Sequence, residues 1–231
     1  MKEGDPMLIP RYYFSNEYDE LYNYFLAQPH KKRSFHQGEY LWGPGEPIHH
    51  VYYICSGISI TYAEHEDGRR KILFFHSSGS VFPGFHKSLF KIEHSIVTQA
   101  ASDMEVLEFP REEVYRMFRE NQVLSSIAFE SYAKLINLLI YETAHQEYNS
   151  SFLKLCNLLY LFSQHSPGGD PHHIALTQEN IADLLTINRV NAAKCLSRLR
   201  DEGIIVSHRK WIEITDLSAL EKYCSQETLL S

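Results

Sequence analysis

The segment Thr177–Ile205, TQENIADLLTINRVNAAKCLSRLRDEGII, constrains this chain more than any other. Its apolar positions Ile181, Leu185, Ile187, Ala192 and Cys195 are spaced to lock two short helices across a tight turn, and the small Ala182 lets the second helix come close to the first. Thr177 supplies an N-cap hydroxyl and Glu179 an acid in the first turn, where the helix dipole favours negative charge, so the first helix starts near Gln178. With the inward set assigned, Asn188, Arg189, Val190, Ala193, Lys194 and Ser197 face outward from the second helix. This is a helix-turn-helix whose outer face suits a major groove. Arg189 has a planar fork that matches both acceptors of a guanine edge, Lys194 can meet guanine or phosphate, and Val190 can touch only a thymine methyl. Gly203 breaks the second helix, and Ile204-Ile205-Val206, HRKW and IEI then read as a small wing with Arg209 and Lys210 at its tip, suited to phosphate. The candidate contacts to double-stranded DNA are therefore Thr177, Gln178, Asn188, Arg189, Val190, Lys194, Ser197, Arg209 and Lys210. Thr186 stands where such a turn usually has glycine at positive φ, so either the turn differs or it is strained.

The DNA unit accounts for the last third of 231 residues, which leaves a second core to build from the first 150 or so. A net charge of −7 excludes a protein that coats nucleic acid in bulk and fits one that reads short sites through a local basic face. Cys55, Cys156, Cys195 and Cys224 are far apart in sequence and form no CxxC, so neither a disulfide framework nor a zinc or iron–sulfur cassette is expected. No signal peptide opens the sequence and no apolar run reaches the roughly 20 residues that span a bilayer, which predicts a cytosolic protein without a membrane partner.

Residues 1–33 are rich in aromatics, among them Tyr12, Tyr13, Phe14, Tyr18, Tyr22, Tyr24 and Phe25, which predict packing against the domain that follows. From Phe35 to Phe109 short apolar runs (VYYI, ISITY, KILFF, EVLEF) alternate with turns at Gly38, Gly45, Gly57, Gly68 and Gly79. Strands at that spacing make a small antiparallel barrel or jelly roll, and Asp67-Gly68 marks a hairpin. Around Pro110 the texture becomes helical: REEVYRMFREN first, then a long helix from about Val123 to Glu147. Its seam of Leu124, Ala128, Ser131, Leu135, Leu138, Glu142 and His145 follows a rough heptad and calls for a second copy of itself. The flanking Ile127, Ile136, Leu139 and Ile140 are apolar too, so one face can lie on the barrel and one on a sister helix. Two recognition helices one DNA turn apart, about 34 Å, would read an inverted repeat. Tyr148-Asn149-Ser150-Ser151 interrupts the helix as a hinge before SFLKLCNLLYLFSQ. The expected fold is α+β, with a sensing β-roll at 1–110, a dimerisation helix and connector at 111–148, and a winged helix-turn-helix at 149–231.

In this order of parts, and in FHQGEYLWGPGEPIHHVYYICSGISI, EDGRRKILFF, SSGSVF and the helix-turn-helix, the chain resembles the cyclic-AMP receptor protein/FNR family of bacterial transcription regulators over about Phe35–Thr215. The resemblance implies a cyclic-nucleotide-binding-like β-roll, a homodimer, a small effector bound between β-roll and long helix, no enzymatic activity, and RNA polymerase as a partner such a regulator can have. Cyclic-nucleotide members carry GxxFGE and a later Arg-Ser pair; here Gly84 replaces the ribose-binding Glu and His94-Ser95 stands for Arg-Ser. A neutral imidazole cannot replace a bidentate fork on phosphate, so cyclic AMP is not the expected effector. The cysteine cluster of the oxygen-sensing branch is missing before Cys55. The remaining pocket candidates are Phe74, Phe75, Phe82, Gly84, Phe85, His86, Ser95, Tyr132 and Lys134, an aromatic site with one cation that suits an aromatic or phenolic anion. The chain is also similar to the branch that senses halogenated phenols, sharing the EDG hairpin, a lysine at Lys134 and Tyr148-Asn149 at the hinge. A haem- or metal-based gas or redox sensor of the same family is the alternative, with His49-His50, His86, His94 and His172-His173 as ligands. No His-x-His or His-x3-His pair supports it, so neither a metal nor another cofactor is expected. A cupin-type enzyme would need His and carboxylates clustered on adjacent strands and would leave the DNA motif without purpose.

Overall fold

The computed structural model describes residues 7–83, 90–165 and 169–230. The chain forms two compact units, one of Tyr13–Leu135 and one of the chain up to Tyr12 together with Ile136–Ser231.

The first unit runs β1 (Tyr13–Phe14), a 3-10 turn Asp19–Leu21, α1 (Tyr22–Ala27), β2 (Lys31–Phe35), β3 (Tyr40–Trp42), β4 (His50–Ser56), β5 (Ile58–Glu64), β6 (Arg70–Ser77) and β7 (Val81–Phe82). A 3-10 turn Lys91–Ser95, β8 (Ile96–Ala100), β9 (Met104–Pro110) and α2 (Arg111–Glu120) follow, and α3 (Gln122–Tyr148) leaves the unit. One sheet has the order β1-β6-β5-β8-β3 and the other β2-β9-β4-β7. The runs that read as strands are apolar on both faces because both faces are covered. Tyr52 and Ile54 of β4 and Met104 and Val106 of β9 meet Leu41 and Ala100 of the other sheet. Their alternates Val51, Tyr53, Leu107 and Phe109 turn the other way, onto Tyr18, Phe25, Val114, Met117 and Leu124. Tyr18 and Phe25 pack on the roll, as expected, and Tyr13–Phe14 does so as a strand parallel to β6, whereas Tyr12 departs from the expectation and stacks on Phe162 of its own unit. Asp67-Gly68 makes the expected β5–β6 turn, with Gly68 at φ +80°.

Gly57 is required twice over: it sits at φ +86°, and a methyl there would lie 2.8 Å from the Met104 Cα and against the Asp103 carbonyl. Gly38, at φ +91°, has nothing within 4 Å of such a methyl.

α3 is 27 residues long and, by length and composition alone, apolar enough to cross a bilayer, although Glu130, Lys134 and Glu142 interrupt its apolar run. Its seam is covered by its own chain: Leu124, Ala128, Leu138, Glu142 and His145 are buried. Of the flanks, Ile127 packs on the aromatic core, while Ile136 and Ile140 are 56% and 65% exposed, together with Phe129 at 76%. The face open to a second copy is therefore the flank, not the seam. Heptad spacing finds an apolar stripe without saying what covers it, and here buried Glu142 and His145 have polar partners in their own chain.

The second unit continues with α4 (Ser151–Gln164), β10 (His173–Ile174), α5 (Gln178–Leu185), α6 (Arg189–Asp201), β11 (Ile205–Ser207), β12 (Ile212–Ile214) and α7 (Leu217–Glu221), with a small sheet β10-β12-β11. Ser150 caps α4 by accepting from the Leu153 amide at 3.3 Å. Its almost wholly buried run Leu155–Ser163 is the floor on which the helices rest.

Two outcomes follow for stability. Gly38→Ala should cost about 1 kcal/mol, the strain of a left-handed alanine, and Gly57→Ala at least about 2 kcal/mol more, since backbone must also move; urea unfolding returning equal losses would show that Met104 yields freely. At the end of α4, burial and the nearby Arg11 charge pull the His165 imidazole from 6.5 down to about 4, so the fold holds it neutral. The unfolded chain takes up that proton first, so this stabilisation is complete above about pH 6.5 and drains away as pH falls towards about 4. His165→Leu should flatten that part of the stability profile, measured by denaturant melts between pH 7.5 and 4.5.

Candidate nucleic-acid interface and effector pocket

The helix pair is set by caps that the local sequence supplies. The Thr177 hydroxyl accepts from the Asn180 amide at 3.1 Å while the Asn180 side chain accepts from the Thr177 amide at 3.1 Å, a reciprocal box that starts α5 at Gln178. Thr186 ends α5 at φ +53°, ψ +42°, so the strained alternative is the one adopted by this β-branched residue. Asn188 caps α6, accepting from the Asn191 amide at 2.8 Å. Ile181, Ala182, Leu185 and Ala192 are buried as expected, Ile187 and Cys195 half-buried; Leu184, Leu196 and Leu199 complete the core.

On the outer side Gln178, Asn188, Arg189, Val190 and Lys194 are exposed and Ser197 is half-buried. Arg189 is not idle: its guanidinium pairs with the Glu179 carboxylate, and the Gln178 amide donates to the Arg189 carbonyl at 3.5 Å. The sequence reading gave Glu179 only a dipole role, because a partner ten residues away is visible only once the turn geometry is known. Arg198, though exposed, lies over the Phe152 ring at 3.9 Å and in an ion pair with Glu202 at 3.0 Å.

β11 and β12 form the wing, closed by the His208 amide donating to the Trp211 carbonyl at 2.9 Å, which leaves exposed Arg209 and Lys210 at the tip. Trp211 is sandwiched between His208 at 3.8 Å and His173 at 4.3 Å. His172 bonds the Ile214 carbonyl through Nδ1 at 2.7 Å. His172 and His173, two of the histidines considered as metal ligands, thus have structural work here, and among the described residues no three His, Cys, Asp or Glu side chains gather to hold a metal. Burial pushes all four thiols up, Cys224 to about 12, so they stand protonated.

In the β-roll, Phe74 and Phe82 come together, centroids 6.3 Å apart, in a cluster that the sequence reading only half identified. The His76 ring lies 4.5 Å from Phe82 and 5.1 Å from Phe74, Trp42 stacks on Phe82 at 4.9 Å, and Phe14 closes on His76 at 5.4 Å. His76 could have been found, since it shares the strand face of Phe74 two residues earlier. Phe75, the intervening residue, stacks on Tyr13. Gly84, Phe85 and His86 lie outside the described residues. Ser95 ends the 3-10 turn that also holds His94. Tyr132 lines a groove of about 660 Å³ with Tyr115, Phe118, Arg119 and Phe129, and Lys134 is half-buried further along α3.

The sequence profile of the Crp-like helix-turn-helix domain matches residues 153–223, and that of the cyclic nucleotide-binding domain residues 32–121. Electron transport regulator A of Shewanella oneidensis is 24% identical over 226 residues, covering 91% of this chain and 83% of that protein. The global nitrogen regulator of a Nostoc species is 24% identical over 194 residues, covering 81% and 86%. Among solved structures, FixK2 from Bradyrhizobium japonicum matches with a TM-score of 0.71 at 21% identity, covering 85% of this chain and 98% of that one. OCPA-complexed CprK matches with a TM-score of 0.69 at 18% identity, covering 93% and 98%. At such identities these two show a shared fold. The β-roll, long helix and winged helix-turn-helix, with a cyclic nucleotide-binding profile and a Crp-like helix-turn-helix profile in this order, are the parts of the Crp/Fnr-type DNA-binding transcription regulators to which this chain is similar, proteins that are not enzymes.

Proposed function

We propose that the chain works as a homodimer on an inverted repeat, with DNA affinity set by a small aromatic or phenolic anion. What carries this reading is the outer face of α6, where Arg189 and Lys194 stand exposed around Val190. Arg189 reads a guanine, Lys194 a guanine or phosphate and Val190 a thymine methyl; Ser197, Gln178, Arg209 and Lys210 contact the backbone or groove edge, while Thr177 and Asn188 add contacts to their capping bonds. Two copies meet along the open face of α3, through Phe129, Ile136 and Ile140.

The division of labour is 1–110 for sensing, 111–148 for dimerisation and 149–231 for DNA, in the cytoplasm, with RNA polymerase as the downstream partner. The effector site comprises Phe74, Phe82, Gly84, Phe85, His86, Ser95, Tyr132 and Lys134. Its support is the ring cluster of Trp42, Phe74, His76 and Phe82, which offers stacking, and the Lys134 ammonium, which offers charge.

A dimer should protect an inverted repeat of about 20 base pairs, and Arg189→Ala should cost about 1–3 kcal/mol at one guanine and relax preference there. Selection from a random duplex pool checks this, and an unchanged preference overturns the placement of α6. Cyclic AMP should give no measurable heat in calorimetry, because Gly84 and His94 stand where ribose and phosphate are gripped in cyclic-nucleotide members; micromolar binding would contradict that. A thermal-shift panel of phenolic acids should yield a ligand adding about 2.7 kcal/mol at 100 times its Kd.

A further inference from the structure

We propose that Tyr12 is a positioning residue that ties the strand beside the ring cluster to the hinge between α3 and α4, a second route from the β-roll to the DNA unit beside α3 itself. The chain passes between its two units twice, at Tyr12–Tyr13 and at Leu135–Ile136. α3 makes the second passage; the first is made by a two-residue strand.

On the β-roll side, Tyr13 and Phe14 pair in parallel with Phe75 and His76. The Tyr13 ring lies 6.4 Å from Phe75, and Phe14 lies 5.4 Å from His76 and 6.1 Å from Phe74. β1 is therefore laid directly on the strand whose Phe74 and His76 meet Phe82, so a rearrangement of those rings moves β1. Tyr12 is the next residue, 3% exposed, its ring stacked on Phe162 at 5.7 Å and 18°. Its hydroxyl donates to Glu142 Oε1, and the other carboxylate oxygen accepts from the Gln146 amide at 3.3 Å.

A carboxylate only 9% exposed needs such donors, because an ion buried without them costs several kcal/mol. Burial and the Glu142 charge raise the Tyr12 phenol well above its ordinary range, so it keeps the proton it donates. One turn further on, His145 meets the Asn157 amide of α4 at 3.2 Å and the Asn149 side chain of the hinge. Asn157 in turn holds Ser225 at 3.0 Å, and Thr228 holds the Tyr141 hydroxyl at 3.0 Å. Gln146, which donates to Glu142, accepts from Lys154 of α4 at 3.0 Å, so Glu142 joins the polar contacts that hold α4 to α3. Neighbouring Cα atoms are held about 3.8 Å apart by a planar peptide, so a displacement of β1 reaches Tyr12 with only the φ and ψ between them to absorb it. What those dihedrals do not absorb falls on the Tyr12–Glu142 bond.

The inference rests on the proposed reading of the ring cluster as part of the effector site, yet its test needs neither effector nor known operator. Amide hydrogen exchange of the full chain should be followed by mass spectrometry for wild type, Tyr12→Phe and Glu142→Gln. Tyr12→Phe keeps the stack on Phe162 and deletes only the donor. Exchange should become about tenfold faster both at 142–150 and at 70–77, the size expected for losing a charge-assisted bond. Glu142→Gln keeps an acceptor for the hydroxyl and should retain most of the protection at 70–77, and a loss there as large as in Tyr12→Phe overturns the role of the bond. Acceleration confined to 142–150, or none, overturns the proposal. If Tyr12→Phe does not fold, Glu142→Leu, which deletes the acceptor, must give the same paired change or the proposal fails. With a duplex selected by the wild-type protein, DNA should protect 70–77 in wild type and less in Tyr12→Phe, since coupling between sites is reciprocal. A wild type that selects no duplex would sink the proposed function while the DNA-free comparison still decides the role of Tyr12.

Discussion

Strands β4 and β9 pair from His50–Pro110 to Ser56–Glu105, and both faces of that pair are covered. Most of the first unit follows from this. One face closes the roll against the other sheet, and the other face is the seat on which α1, α2 and the start of α3 settle. The departure from apolar burial, Glu108 at 6% exposure, is held by Arg33 at 2.8 Å, and its charge joins burial in pushing the Tyr52 hydroxyl up to about 12. The start of α3 belongs to this core, with Leu124 buried in it and Ile127 packed against it.

The second unit is organised differently, through caps and ion pairs as well as apolar packing. A chain of net charge −7 must present a basic surface locally to meet DNA, and Arg189, Lys194, Arg209 and Lys210 stand exposed, while Arg198, also exposed, is engaged by Phe152 and Glu202. Thr186 in a left-handed conformation costs roughly 1–2 kcal/mol that a glycine would not, and the buried Ile181, Leu185 and Ala192 around the turn hold it there.

What could be read in advance follows the range of the forces. The helix-turn-helix, the Asp67-Gly68 hairpin and the hinge at Asn149 are written in neighbouring residues, so caps, glycines and spacing disclosed them. The faces of α3 were not legible: Glu142 looked like a seam position, and its partner Tyr12 lies 130 residues away. Long-range pairing hid β1 as well, since nothing in Tyr13-Phe14 announces a parallel partner in β6. In the pocket, Phe74 and Phe82 could be named from composition, whereas Trp42 and Phe14 reach them only through the folding of separate strands. Glu179 was visible as a first-turn acid but not as the partner of Arg189.

That last pair gives the interface a particular ionic character. A free surface cation carries mobile anions, and docking on a polyanion drives both sets of counterions into solution, which is why such binding weakens as salt rises. Arg189 carries its anion covalently, as the side chain of Glu179. In the proposed contact with DNA it would exchange the carboxylate for another acceptor and free no ion of its own, so this arginine would add little to the salt dependence and little to attraction for arbitrary phosphate. A surface that offers both acceptors of a guanine can draw the fork away from the carboxylate; a surface that offers one leaves the two side chains together. On that proposed reading the acid beside the arginine would suppress indiscriminate adhesion in a way that no count of positive charges on the helix would disclose.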